Sequence, residues 1–167
     1  MVNTGNGKGK TTAALGLAFR AMGHGLPVCM IQFIKGDWKY GELKSAERFK
    51  DLLDFHVVGE GFTWESEDLD KDRLAARKGW ELAKSCIQAG RYHLIILDEF
   101  TYVMNYGMVS EEEALGVLSN RPKNLHILIT GRDAPERLIE MADLVTEFKE
   151  TRHHFKAGIK DQKGIEW

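Results

Sequence analysis

Short apolar runs alternate with helical patterns along this chain, and the alternation is the strongest constraint on its fold. The runs of strand length are residues 28–34, 55–58, 93–100, 125–130 and 144–148. The helix candidates between and around them are residues 9–22, 42–53, 70–89, 110–119 and 134–142. Several runs are almost continuously hydrophobic, as expected for central parallel strands that are covered on both faces. The sequence therefore predicts an α/β fold, with a parallel sheet covered by helices on both faces and right-handed crossovers.

Local signals refine this outline at three places. Ser110 with Glu113 matches the S-x-x-E capping box and predicts a helix start. Asp133, which precedes "APER", is a second candidate N-cap. Only residues 1–3 precede the first motif, so we expect a first strand that is very short or has lost residues that would normally extend it. No linker or internal repeat divides the chain, and we expect residues 1–167 to form a single domain.

Composition argues against several function classes. The formal net charge of −2 gives no reason to expect bulk binding to nucleic acid. No apolar run reaches the roughly 18 residues that cross a bilayer, and no secretion signal opens the chain. Cys29 and Cys86 lie far apart in sequence and match no metal or redox spacing, so we expect buried thiols in a reducing compartment. We therefore expect a cytoplasmic protein that binds neither nucleic acid nor membranes.

The stretch "TGNGKGKTT" (the glycine-rich loop, residues 4–12) is a variant of the phosphate-binding P-loop G-x-x-x-x-G-K-[ST]. Gly9-Lys10-Thr11 supplies the second half, whereas Thr4 stands where the pattern has its first glycine. Glycines in such a loop let the backbone turn tightly and direct N–H groups inward. The candidate nucleotide ligands in the loop are Thr4, Gly5, Asn6, Gly7, Lys8, Gly9, Lys10, Thr11 and Thr12.

The side chains of this loop suit a magnesium nucleotide. The helix that begins near Gly9 adds the positive end of its dipole, and Lys10 supplies a point charge for phosphate oxygens. The Thr11 hydroxyl is a candidate Mg²⁺ ligand, and Lys8 is a second cation for a triphosphate. A glycine-rich turn with surface lysines is the alternative, and the next motif argues against it.

"LIILDEF" is an apolar run that ends in two carboxylates, Asp98 and Glu99, at the sheet edge where the loop should lie. Strand alternation points the two side chains in different directions, so we expect different roles. One would hold Mg²⁺, directly or through water, and the other would orient water, metal or a neighbour. Thr11, Asp98 and Glu99 are therefore the candidate metal-binding residues.

Three further stretches leave alternatives open. Gln32 and Lys35 emerge at the same edge, where they either contact the ligand or merely end a strand. Phe62 and Trp64, in "GEGFTWE", either anchor a core or form a wall against a large flat ligand. The tail, residues 150–167, is predicted to fold over the active site or a partner subunit. Its adjacent histidines, residues 153 and 154, are not expected to share a metal ion.

Taken together, these stretches resemble the P-loop-type corrinoid adenosyltransferases. The resemblance covers nearly the whole chain, through "TGNGKGKTTAALG", "QFIKG", "GFTWE", "LDEFTYVMNYG", "NRPKNLHILITGR" and "HHFKAGIKDQKGIEW". It implies a RecA-like P-loop fold and a reaction in which cob(I)alamin, or another reduced corrinoid, attacks the 5′ carbon of Mg²⁺-bound ATP and releases triphosphate. Reduced cobalt is itself the nucleophile, so no general base is needed.

The resemblance also implies site roles and partners. Lys8 and Lys10 would stabilise the leaving triphosphate, while Phe62 and Trp64 would form the apolar wall that displaces the lower cobalt ligand. Gln32, Lys35 and Arg132 would lie at the site edge. The family is usually dimeric and takes its electron from a donor such as reduced flavodoxin. Many members carry a further N-terminal segment over the corrinoid, and here either the tail replaces it or the sequence is a short form.

Two other functions remain open from the residues alone. A P-loop ATPase or small-molecule kinase would use Glu99 to polarise water or an acceptor hydroxyl, and would release ADP. A non-catalytic corrinoid carrier would bind nucleotide and corrinoid without forming a cobalt–carbon bond.

Overall fold

The computed structural model describes residues 1–34, 40–58 and 69–166, and within these ranges the sheet is continuous. The strands, in chain order, are β1 Val2–Thr4, β2 Val28–Gln32, β3 Leu53–Val57, β4 Leu94–Asp98, β5 His126–Thr130 and β6 Val145–Glu147. They form one six-stranded sheet in the order β3-β2-β4-β5-β1-β6, and every pairing is parallel. The predicted parallel α/β fold is confirmed.

Helices pack on both faces of this sheet. They are α1 Lys10–Gly23, α2 Gly41–Ala46, α3 Leu69–Gln88, α4 Phe100–Asn105, α5 Glu111–Ser119 and α6 Glu136–Met141. Alternate strand residues point to opposite faces. Ile95 and Leu97 accordingly join the core beneath α3, α4 and α5, whereas Leu94 and Ile96 join the core beneath α1. Both faces of the central strands β2 and β4 are therefore buried, which explains their continuous apolar sequences.

Two predicted helix boundaries are wrong. The helix expected over 42–53 ends at Ala46 and continues only as a 3-10 turn, Glu47–Phe49, because Leu53 already belongs to β3. Asp133 does not cap α6, whose N-cap is Pro135. The residue before a proline is disfavoured in the helical region, and Asp133 itself has a φ of 49°. The helix therefore starts only after the proline.

The structure confirms the helix start at Ser110, whose hydroxyl accepts a hydrogen bond from the Glu113 backbone N–H. The Glu113 carboxylate turns to α3 instead, where it accepts hydrogen bonds from Trp80 Nε1 and Arg77, each at 2.7 Å. Trp80 is fully buried and stacks on Phe100, with ring centroids 5.0 Å apart. Glu113 therefore joins α3 to α5.

The remaining expectations about the chain as a whole concern thiols and membranes. Cys29 and Cys86 are free and buried, as expected, but the fold brings their sulfurs to 3.7 Å. Among the described residues, none of the helices has the length and apolarity that a membrane span requires.

Candidate functional site

The glycine-rich loop connects β1 to α1 at the carboxyl end of the sheet, where ligands of parallel α/β proteins bind. Gly5 and Gly9 adopt left-handed backbone conformations, with φ of 94° and 116°, that side-chain-bearing residues rarely adopt. Gly9 is the N-cap of α1. A Cβ atom at Gly5 would lie 2.6 Å from the carbonyl oxygen of Phe148, so close packing also requires glycine there.

One expectation about the loop backbone is wrong. The N–H of Gly7 does not point inward but donates a hydrogen bond to the carbonyl of Phe148, at 2.6 Å. The chain that follows β6 causes this, because the Phe148 N–H bonds to the Thr4 carbonyl and continues the strand pairing alongside the loop. Thr4 in turn accepts the Ala134 N–H on its hydroxyl. Thr4 and Gly5 thus anchor the base of the loop.

The Lys10 side chain is buried against the preceding residues of the glycine-rich loop. Its ammonium donates hydrogen bonds to the carbonyls of Gly5 and Gly7, at 2.7 and 2.9 Å. Burial lowers the pKa of the Lys10 ammonium, and the carboxylates of Glu99 and Asp98 partly offset this effect. The lysine is thus held by neutral acceptors that a charged phosphate oxygen can replace.

Asp98 is fully buried at the end of β4 and is the hydrogen-bonding centre of the sheet edge. Its carboxylate accepts hydrogen bonds from Thr11 Oγ1 at 3.0 Å, Thr130 Oγ1 at 2.7 Å and Gln32 Nε2 at 3.1 Å. Gln32 faces Asp98 in the strand register and is also fully buried. The structure therefore places Gln32 behind the site, where it orients Asp98.

Glu99 diverges from Asp98, as expected, but the cause is a backbone turn after the end of β4 and not strand alternation. Its backbone lies in the left-handed region, with a φ of 60°, and its N–H donates to Thr130 Oγ1 at 2.9 Å. Because of this turn, β4 ends at Asp98, two residues before the end of the predicted strand, and α4 begins at Phe100. The Glu99 side chain consequently reaches the cavity described next.

A cavity of about 940 Å³ lies over the loop. Its walls come from the loop, α1, α2, the start of β3 and the tail. Several lining side chains were not predicted from the sequence, among them Leu15, Phe19, Glu42, Phe49, Phe55 and Tyr102. The expected residues on its wall are Asn6, Gly7, Lys8, Gly9, Lys10, Thr11, Thr12, Glu99 and Arg132. The signal for Tyr102 was the stretch "EFTYVMN", which forms the short helix α4 that was not predicted.

Arg132 reaches the cavity from the end of β5. The preceding Gly131 has a φ of 140°, and a Cβ atom there would lie 2.0 Å from Thr101 Oγ1. That hydroxyl donates a hydrogen bond to the Arg132 carbonyl at 2.7 Å. Thr101, on α4, therefore fixes the backbone from which the Arg132 side chain extends.

The tail contributes another wall of the cavity. Glu166 lies 3.1 Å from the Lys8 ammonium, and its carboxylate is largely buried. His154 lies 3.2 Å from Asp161 and 3.7 Å from Glu166. Lys8 therefore faces the carboxylate of Glu166. Lys35, Phe62 and Trp64, the other candidate residues, lie outside the described residues.

The fold and this site together define a class. A parallel α/β sheet with a glycine-rich loop, a buried lysine and two carboxylates at its carboxyl edge is the arrangement of α/β nucleotide-binding proteins. A family model described as "ATP:corrinoid adenosyltransferase BtuR/CobO/CobP" matches residues 1–167. This chain belongs to that family, which confirms the family and the transferase class inferred from the sequence motifs.

Individual relatives agree with the family model. A corrinoid adenosyltransferase of Sinorhizobium sp is 44% identical over the whole chain and 79% of the relative. Those of Pseudomonas aeruginosa and Escherichia coli K12 are each 41% identical over the whole chain, which covers 82% and 84% of their lengths.

Proposed function

We propose that this chain transfers the 5′-deoxyadenosyl group of ATP, bound as its Mg²⁺ complex, to a reduced corrinoid such as cob(I)alamin and releases inorganic triphosphate. The observation that carries the proposal is the convergence of Lys8, Lys10 and the N-terminus of α1 on one wall of the 940 Å³ cavity. This volume lies near the upper end of the roughly 300–1,000 Å³ that small-molecule sites span. It leaves space beside a nucleotide for part of a second substrate.

The electron balance of this transfer explains why the site needs cations more than a base. The reduced cobalt donates an electron pair to C5′ of ATP, a cobalt–carbon bond forms, and the C5′–oxygen bond breaks. The oxygen leaves with the triphosphate, and no proton moves in this step. Negative charge therefore grows on the phosphates, where Lys8, Lys10 and the first turn of α1 would stabilise it.

Lys10 is well placed for this role because its present partners are weak ones. The carbonyls of Gly5 and Gly7 are neutral acceptors, and hydrogen bonds to charged acceptors are roughly twice as strong. A phosphate oxygen would also oppose the effect of burial on the lysine pKa and keep the ammonium charged.

The described residues fit a magnesium ion. Hydroxyl and carboxylate oxygens are the ligands that Mg²⁺ prefers, together with water and substrate phosphates. The Thr11 hydroxyl and the Glu99 carboxylate are on the cavity wall, while buried Asp98 holds Thr11 from behind. We propose that Thr11 and Glu99 hold the ion, with Asp98 acting on it through Thr11 or a water molecule. The ion would neutralise charge on the leaving triphosphate.

From the motif resemblance, we propose which residues form the corrinoid side of the site. Phe62 and Trp64 would supply the apolar wall against the corrinoid, with Lys35 near the edge, and Arg132 would contact the nucleotide or corrinoid from the cavity wall. We further propose a homodimer that works in the cytoplasm and receives its electron from reduced flavodoxin or a similar donor. Sedimentation velocity would test the dimer, and cob(II)alamin reduction with purified flavodoxin would test the donor.

Product analysis tests the central proposal. The protein is incubated with MgATP and chemically reduced cobalamin, and phosphate, triphosphate and ADP are separated by ion-exchange chromatography. We expect one triphosphate per adenosylated corrinoid, and no triphosphate when corrinoid is omitted. ADP as the product would contradict the proposal and support phosphoryl transfer. Corrinoid binding without any new cobalt–carbon bond would support the carrier function.

Paired variants separate catalysis from folding. Phe62→Ala or Trp64→Ala should reduce adenosylation from cob(II)alamin and a reductant while leaving ATP affinity unchanged. Equal losses of both, together with a lower unfolding temperature, would show that these aromatic residues support the fold instead.

A further inference from the structure

Three side chains of the tail place metal-ligating atoms close together, outside the proposed magnesium site. His154 Nε2 lies 3.2 Å from Asp161 Oδ1 and 3.7 Å from Glu166 Oε1. The ligating atoms of all three residues lie within 4.8 Å of one another. One imidazole and two carboxylates therefore converge on a single point.

The spacing fits one small divalent ion. Bonds of about 2.0–2.2 Å from zinc to nitrogen and oxygen place two tetrahedral ligands roughly 3.3–3.6 Å apart. The two distances from His154, 3.2 and 3.7 Å, lie on either side of that interval. The Asp161 and Glu166 oxygens lie within 4.8 Å of each other, so the exposed Asp161 side chain would have to move toward Glu166 to close the site. An imidazole ligand favours zinc-class transition metals over Mg²⁺, which prefers oxygen ligands.

The surroundings of Glu166 support a ligand role. Its Oε2 accepts a hydrogen bond from the Gln162 N–H at 2.7 Å, so that Oε1 faces both the Lys8 ammonium at 3.1 Å and His154 Nε2 at 3.7 Å. Hydrogen bonds that orient a ligating carboxylate in this way are a regular feature of metal sites.

The cluster also opens onto the nucleotide cavity. His154, Asp161 and Glu166 all line it, on the wall that faces Lys8. Glu166 now engages the Lys8 ammonium, and its carboxylate would repel a triphosphate in the loop once Lys8 turned to the phosphates. A divalent ion would neutralise that charge and release Lys8 for phosphate, and its remaining coordination position could accept a phosphate oxygen.

We propose that His154, Asp161 and Glu166 bind one divalent transition-metal ion of the zinc class, which fastens the tail over the glycine-rich loop. This site is separate from the magnesium site at Thr11 and Glu99. The proposal does not depend on the adenosyltransferase reaction, because it concerns the protein without nucleotide or corrinoid.

The test is Zn²⁺ titration of chelator-treated, untagged protein by isothermal calorimetry, without nucleotide. We expect one Zn²⁺ per chain with a dissociation constant in the micromolar range or below. Asp161→Asn and His154→Ala should each weaken binding at least tenfold, because loss of a group that only orients a ligand already costs about 10- to 100-fold. His24→Ala is the matched control, because this exposed histidine at the end of α1 lies outside the cluster and the cavity, and it should bind as the unaltered protein does.

Two further measurements keep the outcome decisive. Thermal unfolding of each variant without metal checks that the fold is intact, and hydrogen exchange of residues 154–166 should slow when Zn²⁺ is added. Absence of Zn²⁺ binding at millimolar concentration would overturn the proposal and leave a hydrogen-bonded cluster. Binding that Asp161→Asn and His154→Ala leave unchanged would overturn it as well, since the ion would then lie elsewhere.

Discussion

The hydroxyl of Thr11, in the first turn of α1, donates a hydrogen bond across 3.0 Å to the buried carboxylate of Asp98 at the end of β4. Thr130 and Gln32 donate to the same carboxylate from the neighbouring strands. The sheet therefore fixes the position of the Thr11 hydroxyl on the cavity wall.

Removal of this hydroxyl should separate magnesium-dependent from magnesium-independent nucleotide binding. For Thr11→Ala we expect MgATP affinity to fall about 10- to 100-fold, the range found when groups that support a metal site are removed. ATP in the presence of a chelator should bind nearly as it does to the unaltered protein. Calorimetry with and without Mg²⁺ measures both, and Thr11→Ser, which keeps the hydroxyl, is the control. Unchanged MgATP affinity in the alanine variant would remove Thr11 from the magnesium site.

Glu113, which lies away from the site, should contribute strongly to the free energy of unfolding. Glu113→Ala leaves the N–H of fully buried Trp80 without its acceptor, at a cost of about 1–3 kcal/mol in the free energy of unfolding. Glu113→Gln keeps an acceptor oxygen at the same position and should cost less. Urea unfolding followed by tryptophan fluorescence compares the two, and equal losses would refute the hydrogen-bond explanation.

The same residue predicts a dependence of stability on pH. The hydrogen bond from Arg77, with those from Trp80 and Lys84, lowers the pKa of Glu113 below its ordinary value of 4.5, although burial raises it in part. Because the pKa is lower in the folded state, the stabilisation is complete above pH 4.5 and is lost as the pH falls through the folded-state pKa.

The measurement is the difference in unfolding free energy between the unaltered protein and Glu113→Gln across this pH range, at constant ionic strength. We expect the difference to be constant from neutral pH down to about 5 and to shrink below it. A difference that stays the same at acidic pH would show that the charge of Glu113 contributes nothing.

Gly79, on α3, should tolerate no side chain. A Cβ atom there would lie 2.9 Å from both Phe33 Cε1 and Val58 Cγ2, and Phe33 is held by packing on Phe100. Overpacking of this kind costs about 1–3 kcal/mol, so we expect Gly79→Ala to destabilise the protein. Gly116→Ala on α5 is the matched control, because its Cβ atom meets nothing within 4 Å. That variant should gain about 0.5–1 kcal/mol from helix propensity, and a gain for both would contradict the prediction.

The fold and the loop were predictable because their signals are local. Parallel strands buried on both faces appear as continuous apolar runs, and the glycines of the loop mark backbone that only glycine adopts readily. The pairing of Gln32 with Asp98 was not predictable in this way, because it depends on the strand order and register, which place Gln32 of β2 opposite Asp98 of β4.

The features that could not be predicted are contacts between residues far apart in sequence and the exact ends of helices and strands. The apolar run 93–100 continues through Phe100, but the backbone turns at Glu99 and Phe100 begins α4 beneath Trp80. Nothing near Lys8 in sequence indicates that Glu166 lies beside it, and nothing near Cys29 indicates Cys86. Such contacts follow from tertiary packing, which the local pattern does not encode.

The left-handed backbone at Glu99 has a consequence for engineering. That conformation costs an ordinary residue about 1–2 kcal/mol, and glycine adopts it freely. A screen that selects variants only for a higher unfolding temperature should therefore enrich Glu99→Gly. The selected variants would lack the Glu99 carboxylate on the cavity wall. Given the magnesium role proposed for Glu99, a gain in thermal stability from glycine at this position should come with a loss of adenosylation activity.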